Sequence, residues 1–172
     1  TPLTGSNILI KGAVPTTKTI TEAGTTTRTM TVTLNVDANM ASGDTITIAG
    51  LTGSATADGD LTLGGADAAK FTANSNAGTA TWTQNTGTLV LTANAAVNAN
   101  TNIVFTFDIA QPAAAQAAVS PTIATVFAAG NLASTALTGS NILAKGTTPS
   151  SGFSTQPTAG SITNTGVTIS AT

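Results

Sequence analysis

Apolar and polar residues alternate with a period of two over much of the chain. Met30, Val32, Leu34 and Val36 alternate with Thr29, Thr31, Thr33 and Asn35. Ile46 and Ile48 alternate with Thr45 and Thr47, and Leu61 and Leu63 flank Thr62. Ala80 and Trp82 sit between Thr79, Thr81 and Thr83; Leu89 and Leu91, then Ile103, Phe105, Phe107 and Ile109, continue the series. Successive side chains of a strand point to opposite faces, so this pattern predicts strands with one apolar and one Thr-rich face. Between the runs stand turn signals: Ala41-Ser42-Gly43-Asp44, Ala57-Asp58-Gly59-Asp60, Gly64-Gly65, Asn85-Thr86-Gly87 and the Asn94 to Asn102 stretch. Six or more short strands punctuated in this way predict an all-β, antiparallel sandwich. Met30, Val32, Leu34, Trp82, Phe105 and Phe107 are assigned to its core.

One stretch admits two readings. Pro112 to Ala118 is rich in Ala behind a Pro, which suits a short helix ended by Pro121. It suits equally an extended crossover into a strand at Thr122 to Phe127.

The chain also repeats itself. Leu3-Thr4-Gly5-Ser6-Asn7-Ile8-Leu9-Ile10-Lys11-Gly12 returns as Leu137-Thr138-Gly139-Ser140-Asn141-Ile142-Leu143-Ala144-Lys145-Gly146, with nine of ten positions identical. Pro15-Thr16-Thr17 then matches Pro149-Ser150-Ser151, and Met30-Thr31-Val32-Thr33 matches Val167-Thr168-Ile169-Ser170 after a small insertion. The expected organisation is a donor strand over residues 1–12, a sandwich over 13–136, and the opening strands of a second, partial copy over 137–172. Read as a strand, the decapeptide is apolar on both faces: Ile8 and Ile10 point one way and Leu9 the other, and Ile142 and Leu143 keep this property. A strand of that kind requires burial on both sides. The chain carries two copies and one set of partner strands, so one copy can fill its own groove and the other that of a neighbour. That is strand addition between chains, and a contact between unlike surfaces propagates head to tail.

Composition agrees with a β protein. Charged residues make up 7% of the chain, hydrophobic ones 41%, and 38 of the 172 residues are Thr, which is β-branched and sits well on a half-exposed pleated surface. A net charge of −2 with five basic residues leaves no basic footprint for nucleic acid or anionic lipid. The apolar stretch from Ala110 to Ala133 is broken by Gln111, Pro112, Gln116 and Pro121 and reads poorly as a membrane span. The chain opens on Thr1 rather than Met, either after removal of a signal peptide or because the numbering begins at the first ordered residue.

Candidate chemistry is sparse. There is no His, Cys or Tyr, so the usual bases, nucleophiles and thiolate metal ligands are missing, and the expectation is no enzyme, no cofactor and no metal. The Asp58-Gly59-Asp60 cluster with Asp67 offers oxygen ligands without the spacing of a dedicated calcium loop, and reads as turns. Lys11 and Lys145, which recur with the repeat, read as solvated strand ends rather than partners of an isopeptide bond. The Thr-x-Thr rows fit ordinary outward strand faces as well as an ice-binding array. None of the 13 Asn lies in an N-x-Ser/Thr acceptor site, while O-linked sugar on the stretch from Thr16 to Thr33 stays open.

With the Leu3 to Gly12 segment and the Thr/Val/Ile strands that follow it, the chain resembles donor-strand-exchange fibre protomers: pilus-like subunits with an incomplete immunoglobulin-like domain. It is similar too to Thr- and Ala-rich repeats of large surface proteins of microbes and algae. Chaperone–usher pilins usually carry a disulfide, and this chain has no cysteine. The resemblance implies an immunoglobulin-like sandwich with an exchangeable N-terminal strand. It also implies an extracellular, cell-surface filament of identical copies, with Leu3, Ile8, Leu9 and Ile10 as donor-strand residues and Leu137, Ile142 and Leu143 as their repeat. Alternatives are a passive sandwich module of a large adhesin or surface-layer protein, and a carbohydrate- or ice-binding module.

Overall fold

The computed structural model describes residues 15–146. The segment with Leu3, Ile8, Leu9 and Ile10, and the matches beyond Gly146, lie outside the described residues.

The architecture is all-β. Eleven strands run β1 (Pro15–Ala23), β2 (Thr27–Val36), β3 (Thr45–Ala49), β4 (Gly59–Gly64), β5 (Phe71–Ala73), β6 (Asn76–Ala77), β7 (Thr79–Thr83), β8 (Thr88–Ala93), β9 (Asn102–Ala110), β10 (Thr122–Val126) and β11 (Leu132–Ala136). A single 3₁₀ turn, Ala68–Lys70, leads into β5, and there is no α-helix among the described residues. All paired strands are antiparallel and form one strongly curled sheet in the order β1-β2-β9-β4-β7-β8-β3-β10-β11, with the short β5 and β6 attached beside β8.

The curl has a local origin in β4. Its first residues, Gly59 to Thr62, pair with β7, while Leu63 and Gly64 pair with Phe107 and Thr106 of β9. One short strand thus joins β1-β2-β9 to the remaining strands, and the apolar faces of both groups turn inward. The alternation read from the sequence sets which residues those are: Met30, Val32, Leu34 and Val36 on β2, Ile103, Phe105, Phe107 and Ile109 on β9, and Ile46, Ile48, Leu89, Leu91 and Trp82 from the other group are buried. Phe105 meets Phe71 edge-on at 5.3 Å between ring centroids and stacks on Phe107 at 6.4 Å, arrangements that the ring quadrupoles favour. Trp82 is 1% exposed, and its indole N–H donates to the Thr56 carbonyl at 3.0 Å.

The Ala-rich stretch after β9 is a crossover without helix. Pro112 bridges to Ser54, and Gln116 bridges to Lys145. Helix propensity loses here because these backbone groups find partners on neighbouring segments.

Candidate assembly site

The two ends of the curled sheet, β1 and β11, come together through the second copy of the repeat. Residues 137–146 pack into the same body as the strands before them, and Leu137, Ile142 and Leu143 are 6%, 0% and 0% exposed. The segment is not the two-faced strand that its composition predicts. It touches β1 at one parallel bridge, Thr19 to Thr138, and then turns, with Asn141 at φ 57° and Leu143 at φ 52°. Ile142 and Leu143 are both buried because the turn folds them into the core edge, not because a sheet covers two faces. A Leu in the left-handed region is strained and persists only when its surroundings hold it there.

A cradle holds it. On one side, the Thr138 amide donates to the Lys18 carbonyl at 2.9 Å and the Ile20 amide to the Thr138 carbonyl at 2.9 Å. Two residues along β1, Glu22 sits on the same face as the buried Ile20, and Arg28 of β2 lies beside it. Their side chains, 8% and 15% exposed, form an ion pair between Glu22 Oε1 and Arg28 Nη1. The other carboxylate oxygen, Oε2, accepts the Leu143 amide at 2.5 Å, and Arg28 Nη2 donates to the Ala144 carbonyl at 3.2 Å. From the crossover, the Val119 amide donates to the Ile142 carbonyl at 2.9 Å, and Gln116 exchanges backbone bonds with Lys145 at 2.9 and 3.0 Å. The Gln116 side-chain amide reaches the Leu143 carbonyl at 3.1 Å, and Lys145 Nζ caps the Pro112 and Ala113 carbonyls at 2.7 and 3.1 Å. Burying a charged pair is favourable only when each member keeps its hydrogen bonds. Here the bonds to Glu22 Oε2 and Arg28 Nη2 come from the backbone of the repeat, while Arg28 Nε is buried without a partner among the described residues, so the cradle reads the conformation of residues 142–145 more than their side chains.

Close packing adds a side-chain requirement at Gly139. A Cβ there would stand 2.5 Å from the Ile20 carbonyl oxygen, although the backbone of Gly139 is not left-handed. The position is reserved for glycine by proximity.

The remaining charges act as ties. Asp44 is buried and accepts the Ala41 and Ala128 amides at 2.7 and 2.9 Å. Asp58 accepts the Gln84 amide at 2.6 Å, and Asp60, on β4 rather than in a turn, accepts Asn74 Nδ2 at 2.7 Å. No group of three or more acidic, His or Cys side chains placed to hold a metal ion occurs among the described residues. Asn keeps the one bond accepted at Asp58. At Asp60, whose two oxygens accept from Asn74 Nδ2 and from the Thr81 hydroxyl at 3.3 Å, the Thr81 hydroxyl can turn to accept from the new amide. At these exposed sites Asp58→Asn and Asp60→Asn are therefore each expected to change stability by no more than about 0.5 kcal/mol. A fall of many degrees in melting temperature on adding a chelator would instead assign a cation to that corner.

Asp67 responds to pH. Partial burial pushes its carboxyl up, but the hydrogen bond from Lys70, the Val104 amide and the Lys70 charge outweigh this and hold it below the usual carboxylate range. A group whose folded pKa is depressed stabilises above its unfolded value, about 3.9 for Asp, and that contribution is lost as pH falls through the folded value. Thermal unfolding between pH 6 and pH 2 should show part of the acid loss disappear in Asp67→Asn.

Two open depressions have volumes of about 470 and 440 Å³; one lies between Thr19–Glu22 and Thr138–Ser140, beside the repeat, and the other is lined by Ser54, Asp58, Gln84 and Asn85. Ser54 and Asp58 line the second without bonding to each other: the Ser54 hydroxyl donates to the Ala110 carbonyl at 2.9 Å, and Asp58 accepts the Gln84 amide. Sequence reading missed Glu22, Arg28 and Gln116 as partners of the repeat. The available signal was rarity: Glu22 is the sole Glu and Arg28 the sole Arg in the chain, set six residues apart around Gly24. No protein-family model matches this chain, and no curated protein matches it.

Proposed function

We propose that this chain is a structural protomer of an extracellular, cell-surface fibre or pilus. In this reading it is an immunoglobulin-like sandwich without catalytic activity whose copies join head to tail through the repeated segment. The observation that carries the reading is the fate of the second copy of the repeat. It bridges to β1 and to the crossover and buries its Leu137, Ile142 and Leu143 there, so the decapeptide is a closing element. One unit needs it once, and the chain carries it twice. The surplus copy is a connector. Sparse charge and abundant Thr suit a scaffold.

The same count supports a second reading, a passive module in which each unit is closed by the decapeptide that opens the next along one polypeptide. Negative-stain images and light scattering of the purified full chain separate the two. Fibres that lengthen with concentration support the protomer; a monodisperse monomer at high concentration removes it and leaves the module.

A further inference from the structure

Three stretches remote in sequence meet at the depression away from the repeat. They are the β3–β4 connection through Ser54, Ala55 and Asp58, the β7–β8 turn at Gln84 and Asn85, and the crossover at Ala113. The volume, about 440 Å³, falls within the range of small-ligand sites, about 300–1,000 Å³.

Bonds between the stretches fix its walls. The Leu51 amide donates to the Gly87 carbonyl at 2.9 Å, and the Gln84 side-chain amide donates to the Ser54 carbonyl at 3.1 Å. The turn packs so closely that a Cβ on Gly87, at φ 59°, would stand 2.2 Å from the Leu51 carbonyl carbon. From the crossover, the Gln116 side-chain amide donates to the Thr52 carbonyl at 3.1 Å. Walls held in this way need little further ordering when a ligand binds.

These ties leave polar atoms unused. Asp58 Oδ1 accepts the Gln84 amide at 2.6 Å. Asp58 Oδ2, Gln84 Oε1 and the Asn85 side-chain amide have no hydrogen-bond partner among the described residues. The depression thus offers two acceptors and one group that both donates and accepts. We propose that it is a binding site for a neutral sugar, whose neighbouring hydroxyls both donate to Asp58 and Gln84 and pair with the Asn85 amide. The methyl groups of Ala55 and Ala113 give the C–H face of the ring a surface to rest on.

Other ligand classes fit less well. The lining holds one carboxylate and no basic side chain, which disfavours anions and falls short of the six to eight oxygens that a calcium ion takes. No aromatic or large apolar side chain lines it, so a lipid or an apolar peptide finds no anchor. For the same reason no ring stacks on the sugar, and affinity is expected in the millimolar range. The site is complete within one chain and does not rest on the protomer reading. In a filament, however, many weak sites presented together would bind a sugar-coated surface far more tightly than one.

Saturation-transfer difference NMR reads the sugar's own protons and works on the full chain, single or assembled. The probes are glucose, galactose, mannose and N-acetylglucosamine at millimolar concentration. At least one should give a signal, and Asn85→Ala should reduce it by about fivefold or more, the loss of a hydrogen bond. Asn85 is exposed, so this variant should melt within about a degree of the parent. Ala55→Arg, which fills the depression from another wall, should also remove the signal. Thr21→Ala, in the depression beside the repeat, should leave it unchanged. Silence from all four sugars overturns the inference, as does a signal that survives both Asn85→Ala and Ala55→Arg. A signal lost in Thr21→Ala instead would place the sugar beside the repeat and overturn it as well. None of these outcomes bears on whether the chain forms fibres, so the two readings fail separately.

Discussion

Deleting residues 1–12 should abolish polymerisation while leaving the unit folded. The described body has its closing element in residues 137–146, with Leu137, Ile142 and Leu143 buried in place, and the deletion leaves that element intact, so its melting temperature is expected to move by about a degree or less. Association should lose most of its free energy. Burying Ile8, Leu9 and Ile10 contributes roughly 1.5 to 3 kcal/mol each, about 4.5 to 9 together, and each 1.4 kcal/mol is tenfold in an equilibrium constant. Leu9→Asp alone should raise the concentration needed for assembly by about a hundredfold without lowering the monomer's melting temperature. Its counterpart, Leu143→Asp, should do the reverse. It places a carboxylate in a fully buried site beside Glu22, at a cost of about 3 kcal/mol or more to the monomer, yet leaves the connector intact. Sedimentation and thermal melting of the two variants side by side make the comparison. Equal effects on monomer stability from both substitutions would mean that the two copies do the same job inside one unit, and the protomer reading would fall.

Trp82→Ala should be the most damaging single substitution in the core. The ring is 1% exposed on β7, between Gly59 of β4 and Leu89 of β8. Truncating such a residue typically costs about 3–5 kcal/mol, from lost transfer energy and the cavity left behind. The half-buried Thr56 carbonyl also loses its donor, which adds at most about 1 kcal/mol. Set against a total stability of about 5–15 kcal/mol for a domain, the variant is expected to melt at least about 10 °C lower. Trp82→Phe keeps most of the volume and should recover more than half of the loss. Trp82 is the only tryptophan, so its emission is a direct readout: blue-shifted in the native chain, moving to that of free indole on unfolding. A loss under about 1 kcal/mol in Trp82→Ala would show that the ring is not part of the core.

Strands with a buried face were legible because the pleat ties side-chain direction to sequence parity. β2, β3, β7, β8 and β9 follow alternation runs that any window of five residues displays, and Met30, Val32, Leu34, Trp82, Phe105 and Phe107 lie on the inward parity of those runs. β1 and β11 escaped this reading. PTTKTITEA buries Ile20 alone, and LASTA buries nothing, since edge strands that face water on most sides need no apolar alternation. β5 and β6 are too short, at three and two residues, to carry a period.

The repeat shows the division most sharply. Its existence, its two copies and its apolar content are properties of the sequence alone, and they suffice to say that the segment must be buried somewhere. Its conformation is not local information. The adjacent apolar Ile142 and Leu143 read as a strand buried on both faces, yet Asn141 and Leu143 are left-handed, and Glu22, Arg28 and Gln116, remote along the chain, supply hydrogen bonds to that turn. The same holds for β4, where pairing with β7 gives way to pairing with β9 between Thr62 and Leu63. Sequence determined which side chains leave water, through periodicity and hydrophobicity. Tertiary structure decided which backbone groups they carry with them and to what partner, because a hydrogen bond needs both ends in place and residues 22 and 143 meet only once the sheet has curled.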